Sequence, residues 1–209
     1  MSGTIGVLAL QGGFREHGAH LRDCGIEPVY VREPGQLACC SGLIIPGGES
    51  SCLRRLMRGF GLDTAIVEAV CDRGLKVWGT CAGAILCADE VEGEEPCLSL
   101  IEASVARNIF GSQLSSFTEE VALPFIEGVQ RLVYIRAPGI RRVWGGTKAL
   151  HTSHGVITAA ENVGVLVTSF HPELSGGLGF HTYFIRKCGL EPRLVRDAAW
   201  RPTRWMERG

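Results

Sequence analysis

The chain is 209 residues long and 45% hydrophobic, enough for one domain with a proper core. Its 21 basic and 22 acidic residues leave a net charge of -1, so bulk electrostatics favour neither nucleic acid nor an anionic membrane as a partner. No apolar run is long enough to cross a bilayer, and Met1-Ser2-Gly3-Thr4 carries no basic leader, so the expected location is the cytoplasm.

Thr4 to Leu10 is a continuous apolar run, as expected for a parallel strand covered on both faces. Gln11-Gly12-Gly13 ends it, and the spacing of Phe14, Leu21 and Cys24 predicts a helix that stops at Gly25. Pro28 to Arg32 reads as a second strand, broken by Glu33-Pro34-Gly35 before a short helical or irregular piece. Gly42 to Pro46 is a third buried strand. It runs into the loop Gly47-Gly48-Glu49-Ser50-Ser51, where Ser50 or Ser51 is expected to cap a helix ending near Arg58. Leu62, Ala65, Ile66, Ala69 and Val70 mark one face of a further helix, closed by Gly74. Val77-Trp78-Gly79-Thr80 is a fourth strand. Strands alternating with helices predict a mostly parallel sheet in an α/β layer architecture.

The second half reads differently. Leu98 to Arg107, Phe117 to Leu123 and Arg131 to Ala137 are strand-like with few helices between, an antiparallel section added to the parallel core. Between residues 139 and 161 the pattern predicts only short strands around Lys148-Ala149-Leu150 and Val156-Ile157-Thr158. Val163 to Phe170 is a buried strand ending at His171-Pro172-Glu173, and a helix from Gly179 to Cys188 closes the domain. One domain over residues 1–190 is expected, followed by an Arg- and Trp-rich tail over 191–209. Nine scattered cysteines, with no Cys-x-x-Cys pair, argue against a disulfide framework and a structural zinc site; no metal is expected. The adjacent Cys39 and Cys40 have no functional reading.

The strand-turn-helix stretch Gly79-Thr80-Cys81-Ala82-Gly83 frames a cysteine with glycines, as a sharp elbow requires where side chains would clash. Such a turn presents the central side chain beside unpaired helix N–H groups, which favour a thiolate. A cysteine there is either a nucleophile or a small buried hydrophobe. His171 supplies a candidate base, locked by Pro172 at the end of a buried strand, where open α/β sheets place their sites. Glu173, two residues on, can hold the imidazole tautomer. Nucleophile, base and orienter together form a recognisable set of roles.

These residues resemble class I, triad-type glutamine amidotransferases. Further stretches resemble one branch, the glutaminase subunits of pyridoxal phosphate synthase: Leu8-Ala9-Leu10-Gln11-Gly12 with Glu16-His17, Pro46-Gly47-Gly48-Glu49-Ser50 and Arg107-Asn108-Ile109-Phe110-Gly111. Ser116-Phe117, Ile135-Arg136-Ala137-Pro138 and Ser169-Phe170-His171-Pro172-Glu173-Leu174 extend the likeness over nearly the whole chain. The resemblance implies a three-layer, flavodoxin-like α/β domain that hydrolyses L-glutamine through a thioester on Cys81, with His171 as acid and base and Glu173 as orienter. It implies an oxyanion hole from backbone N–H groups of Gly47, Gly48 and Ala82, and glutamine binding by Gly48, Glu49, Ser50, Arg107, Ile135 and Arg136. Independently of the family, guanidinium groups suit the substrate's carboxylate. The ammonia passes to a synthase subunit, with Gln11, Glu16 and His17 as docking residues. No cofactor is implied.

The chain departs from the branch at Ser112, Ser115 and Thr118, and residues 141–161 match it poorly. Two rivals stand beside this reading: a glutaminase feeding another acceptor, and a catalytically silent binding homologue. The branch-selecting stretches argue against the first, and the intact Cys81, His171 and Glu173 against the second.

Overall fold

The computed structural model describes residues 3–110 and 116–195. The chain begins with β1 (Thr4–Leu8), α1 (Phe14–Asp23), β2 (Val29–Val31), a 3-10 turn over Pro34–Cys39, β3 (Cys40–Ile45), α2 (Ser50–Gly59), α3 (Leu62–Arg73), β4 (Lys76–Thr80) and α4 (Ala82–Cys87). Next come β5 (Ala88–Val91), β6 (Ile101–Ala106), β7 (Ser116–Ala122), β8 (Val129–Ile135), β9 (Gly139–Val143), β10 (Lys148–Ser153) and β11 (Val156–Glu161). The last elements are β12 (Val165–Thr168), a 3-10 turn over Pro172–Leu174, and α5 (Gly179–Lys187).

The large sheet has the order β2-β1-β3-β4-β12-β11-β9-β6-β5, with β10 also paired to β11. From β2 to β12 all neighbours are parallel. The pairs β12/β11, β11/β9 and β9/β6 are antiparallel. β7 and β8 form a separate antiparallel hairpin. This is the expected α/β layer architecture, a parallel core with an antiparallel section in the second half.

Strand alternation builds three layers. Leu43 and Ile45 of β3, Val77 of β4 and Val165 and Val167 of β12 pack in one core with Leu53 and Met57 of α2 and Ile66 of α3. Their neighbours Ile44, Trp78 and Leu166 face the other way, into a core with Leu21 of α1 and Phe180 and Phe184 of α5. Successive strand residues point to opposite faces, so a continuous apolar run satisfies both helix layers at once.

The chain order reverses around β1, which lies between β2 and β3. Ligands bind outside the carboxyl ends of strands at such a reversal. The stretches holding Gln11, Gly47, Cys81 and His171 follow β1, β3, β4 and β12, four parallel strands, and so leave the sheet at one edge.

Several elements differ from their sequence expectation. Glu49, not Ser50 or Ser51, caps α2, its carboxylate accepting from the N–H groups of Ser51 at 3.1 Å and Cys52 at 2.6 Å. β12 starts at Val165 because the Asn162 side chain accepts from the N–H groups of Gly164 and Val165, folding Val163 into an exposed turn. β5 and β9 were not anticipated: both are short, and each carries two charged residues. Among the described residues, no helix is long and apolar enough to cross a membrane.

Candidate active site

Cys81 sits at the apex between β4 and α4 with φ 48° and ψ -104°, a conformation that costs free energy for a residue with a side chain. The neighbouring strand holds it there: the Cys81 N–H donates to the Thr168 carbonyl at 2.7 Å. The framing glycines are obligatory. A Cβ on Gly79 would lie 2.4 Å from the Gly83 carbonyl oxygen, and one on Gly83 would lie 2.1 Å from that of Ile45. Cys24, Cys40 and Cys87 are buried as core fillers. Burial pushes the thiols of Cys24, Cys40 and Cys188 up to about 12, whereas Cys81 lines one cavity with His171.

His171 is placed by its own backbone, whose N–H donates to the Val133 carbonyl of β8 at 2.8 Å. Its Nδ1 lies 2.8 Å from Glu173 Oε1. Burial works to lower the imidazole pKa, but the Glu173 charge and the contacts with Cys81 outweigh it and lift the ring to about 10. Burial acts to raise the Glu173 carboxyl, and His17 and His171 overcome it, holding the group below its ordinary range. At neutral pH the ring facing the sulfur is therefore an imidazolium backed by a carboxylate.

The loop after β3 packs against this pair. A Cβ on Gly47 would meet His171 Cε1 at 2.4 Å and Cys81 Cβ at 3.3 Å. Gly47 was expected to donate to an oxyanion, but its N–H already donates to Thr80 Oγ1 at 3.0 Å and its carbonyl accepts from Gly13. Gly47 is thus a spacer, which leaves Gly48 and Ala82 as the candidate donors. Gln11 pins the same loop, its Oε1 accepting from the Glu49 N–H at 3.0 Å.

A cavity of about 580 Å³ opens over Cys81 and His171. Gly48, Glu49, Ser50, Arg107, Ile135 and Arg136 all line it, as does Gln11. Arg107 bonds Ser50 Oγ and pairs with Glu49 and with Glu94, each at 3.4 Å, while Arg136 makes no ion pair among the described residues. Asn108, Ile85 and Pro138 also line the space and were not singled out from sequence. Cys81, Asn108 and Arg136, three of the five described non-glycine residues with positive φ, line this cavity.

The docking expectation fails at His17, which is fully buried with its ring between Glu173, Thr80 and His181. A partner cannot touch it. Its burial had a readable signal: Phe14, His17, Leu21 and Cys24 lie on one stripe of α1. Glu16 is half-buried in the first turn of α1, where an acidic residue suits the helix dipole. Gly111, Ser112 and Ser115 lie outside the described residues, as does most of the 191–209 tail.

The sequence matches the SNO glutamine amidotransferase family over residues 7–190. It is 49% identical to the pyridoxal 5'-phosphate synthase subunit PdxT of Syntrophus aciditrophicus, over 97% of this chain and 93% of that one. It is 46% identical to the subunit of the same name from Pelotomaculum thermopropionicum, over 88% of this chain and 94% of the relative. A crystal structure of a glutamine amidotransferase superposes with a TM-score of 0.85 at 40% identity, covering 90% of this chain and all of that one. PurLQS from Thermotoga maritima, at 17% identity and a TM-score of 0.58, shares the fold over 90% of this chain and 98% of its own.

Proposed function

The chain belongs to the SNO glutamine amidotransferase family, and from that premise we propose that it is the glutaminase subunit of a pyridoxal phosphate synthase. It hydrolyses L-glutamine to L-glutamate and ammonia and hands the ammonia to a synthase subunit. The observation that carries this reading is Cys81 and His171 together in a cavity also lined by two arginines, with Glu173 buried behind the His171 ring.

The Cys81 sulfur attacks the side-chain carboxamide carbon, and the developing oxyanion is held by the N–H groups of Gly48 and Ala82. The His171 imidazolium gives its proton to the departing ammonia, leaving a glutamyl thioester and a neutral ring. That ring removes a proton from water, the hydroxide attacks the thioester carbon, and the C–S bond breaks to release glutamate and free the Cys81 sulfur, with the proton kept on His171 as in the resting pair. Glu173 keeps the ring aimed through Nδ1. Arg107 and Arg136 at the rim take the α-carboxylate, and Glu49 and Ser50 the polar remainder of the substrate. Gln11 and Glu16 are the proposed meeting points with the synthase subunit, and the domain ends near residue 190.

Reconstitution tests the assignment. Mixed with a pyridoxal phosphate synthase subunit and its sugar phosphates, the chain should support cofactor synthesis from glutamine, and Cys81→Ala should support it only from added ammonia. Glutamine hydrolysis without transfer to that synthase would point to another acceptor. Absence of hydrolysis with the synthase bound would point to a silent homologue.

A further inference from the structure

The row of buried histidines behind Glu173 is not used by the chemistry above. Glu173 Oε1 takes His171, but Oε2, which is buried, makes no well-formed hydrogen bond among the described residues; His17 Nε2 lies 3.3 Å from it. The same nitrogen is 3.2 Å from Thr80 Oγ1, the hydroxyl that accepts the Gly47 N–H. His17 Nδ1 faces His181 Nε2 of α5 at 3.0 Å, and His181 Nδ1 faces His20 Nδ1 at 3.3 Å. His17 and His181 have no solvent exposure, and the rings meet nitrogen to nitrogen.

We infer that His17, backed by His181 and His20, is a positioning residue: the head of a one-way row of imidazoles that holds the second oxygen of Glu173 and steadies the Thr80–Gly47 turn. This rests on Glu173 serving as the orienter of His171. The direction of the row follows from one premise. A neutral imidazole has one N–H and one lone pair; a lone pair on His17 Nε2 could accept from the Thr80 hydroxyl but would face the Glu173 carboxylate at 3.3 Å, a repulsion that an N–H there replaces with attraction. His17 therefore carries its hydrogen on Nε2 and accepts at Nδ1. His181 must then donate from Nε2 and accept at Nδ1, and His20 must donate from Nδ1. Every N–H in the row points toward Glu173.

The surroundings keep His17 and His181 neutral. Burial drives His17 down to about 4 against the opposing pull of Glu173, with His20 and His171 adding to the fall. Burial, then His20 and His17, holds His181 well below its ordinary value. Among the described residues, Glu173 and His171 from the turn after β12, His20 from α1 and His181 from α5 act on His17. A buried carboxylate oxygen without a donor carries a desolvation cost, so the row favours the charged form that aims His171.

Nitrogen-15 NMR on the folded wild-type chain reads the tautomers directly. Nε2–H on His17 and on His181 is expected; Nδ1–H on His17 overturns the inference whatever the activity. Kinetics with the synthase subunit present gives the second readout. His17→Phe keeps the ring packing but removes the donor. It should lower kcat about ten- to a hundredfold with KM within about twofold, and move the acid limb of the kcat/KM profile to higher pH as Glu173 loses its donor. His17→Gln, whose amide N–H can reach the same oxygen, should restore most of the rate and the limb. If Glu173→Gln slows hydrolysis while His17→Phe changes neither kcat nor the limb, the row has no role in positioning. If both His17 variants are slowed alike with the limb unmoved, its role is packing alone. Unchanged hydrolysis in Glu173→Gln would overturn the triad itself.

Discussion

The floor of the cavity and its rim are built in different ways. The floor rests on the carboxyl ends of parallel strands, where Cys81, His171 and Gly47 are each held by a backbone hydrogen bond to a neighbouring element. Its working groups are nearly buried; the Glu173 side chain is 1% exposed. The rim is made of side chains on loops: that of Arg107 is 38% exposed and that of its partner Glu49 is 58% exposed. The difference assigns the tasks. Reacting atoms need fixed positions and a dry setting, where charges act strongly, whereas a substrate carboxylate can be caught by solvated groups that adjust. Changes at the floor should therefore appear in kcat, and changes at the rim in KM.

The largest effect is expected from Glu173→Gln, which keeps the shape but removes the charge facing His171: kcat should fall about a thousandfold or more with KM nearly unchanged. Gly47→Ala comes next. Its methyl group would push on His171 and Cys81 together, and a displacement of that order should cost about a hundredfold in kcat in a protein that still folds. At the rim, Arg107→Ala and Arg136→Ala should each raise KM for glutamine about tenfold and leave kcat within a few-fold. A rim variant that lowers kcat as strongly as Gly47→Ala would erase the distinction.

The smallest effect is on stability. His17 is held down at about 4, so the unfolded chain binds more protons there between about pH 4 and 6.5, and stability rises with pH across that window. His171 is lifted to about 10, so its contribution is complete below about pH 6.5 and is lost as pH climbs toward 10. Denaturation midpoints should peak near pH 6.5. His171→Gln should flatten the alkaline side, and an unchanged alkaline slope in that variant would contradict the raised imidazole.

The same contrast governs what was legible in the sequence. Floor residues end long apolar runs or sit between glycines, so Cys81, His171 and the strands before them could be read from pattern and turn chemistry alone. The arginines were chosen on charge logic and family likeness, since nothing in the pattern around Arg107 or Arg136 marks a cavity wall. β9 escaped because Gly139-Ile140-Arg141-Arg142-Val143 has too few apolar residues; pairing with β6 and β11 makes it a strand. Glu49 was overlooked as a cap because serines follow it. His17 was misjudged because a histidine on a helix reads as polar surface, although its place on the buried stripe was visible.

The central claim is that Cys81, activated by His171, is the nucleophile toward glutamine. A glutamine-analogue electrophile, offered with the synthase subunit present, tests it most directly when the adduct is mapped by mass spectrometry. One equivalent is expected on Cys81, blocked by excess glutamine, lost in Cys81→Ala and slowed in His171→Gln, with the other eight cysteines unlabelled. Labelling spread over other cysteines, or no adduct at Cys81 in the assembled complex, would contradict it.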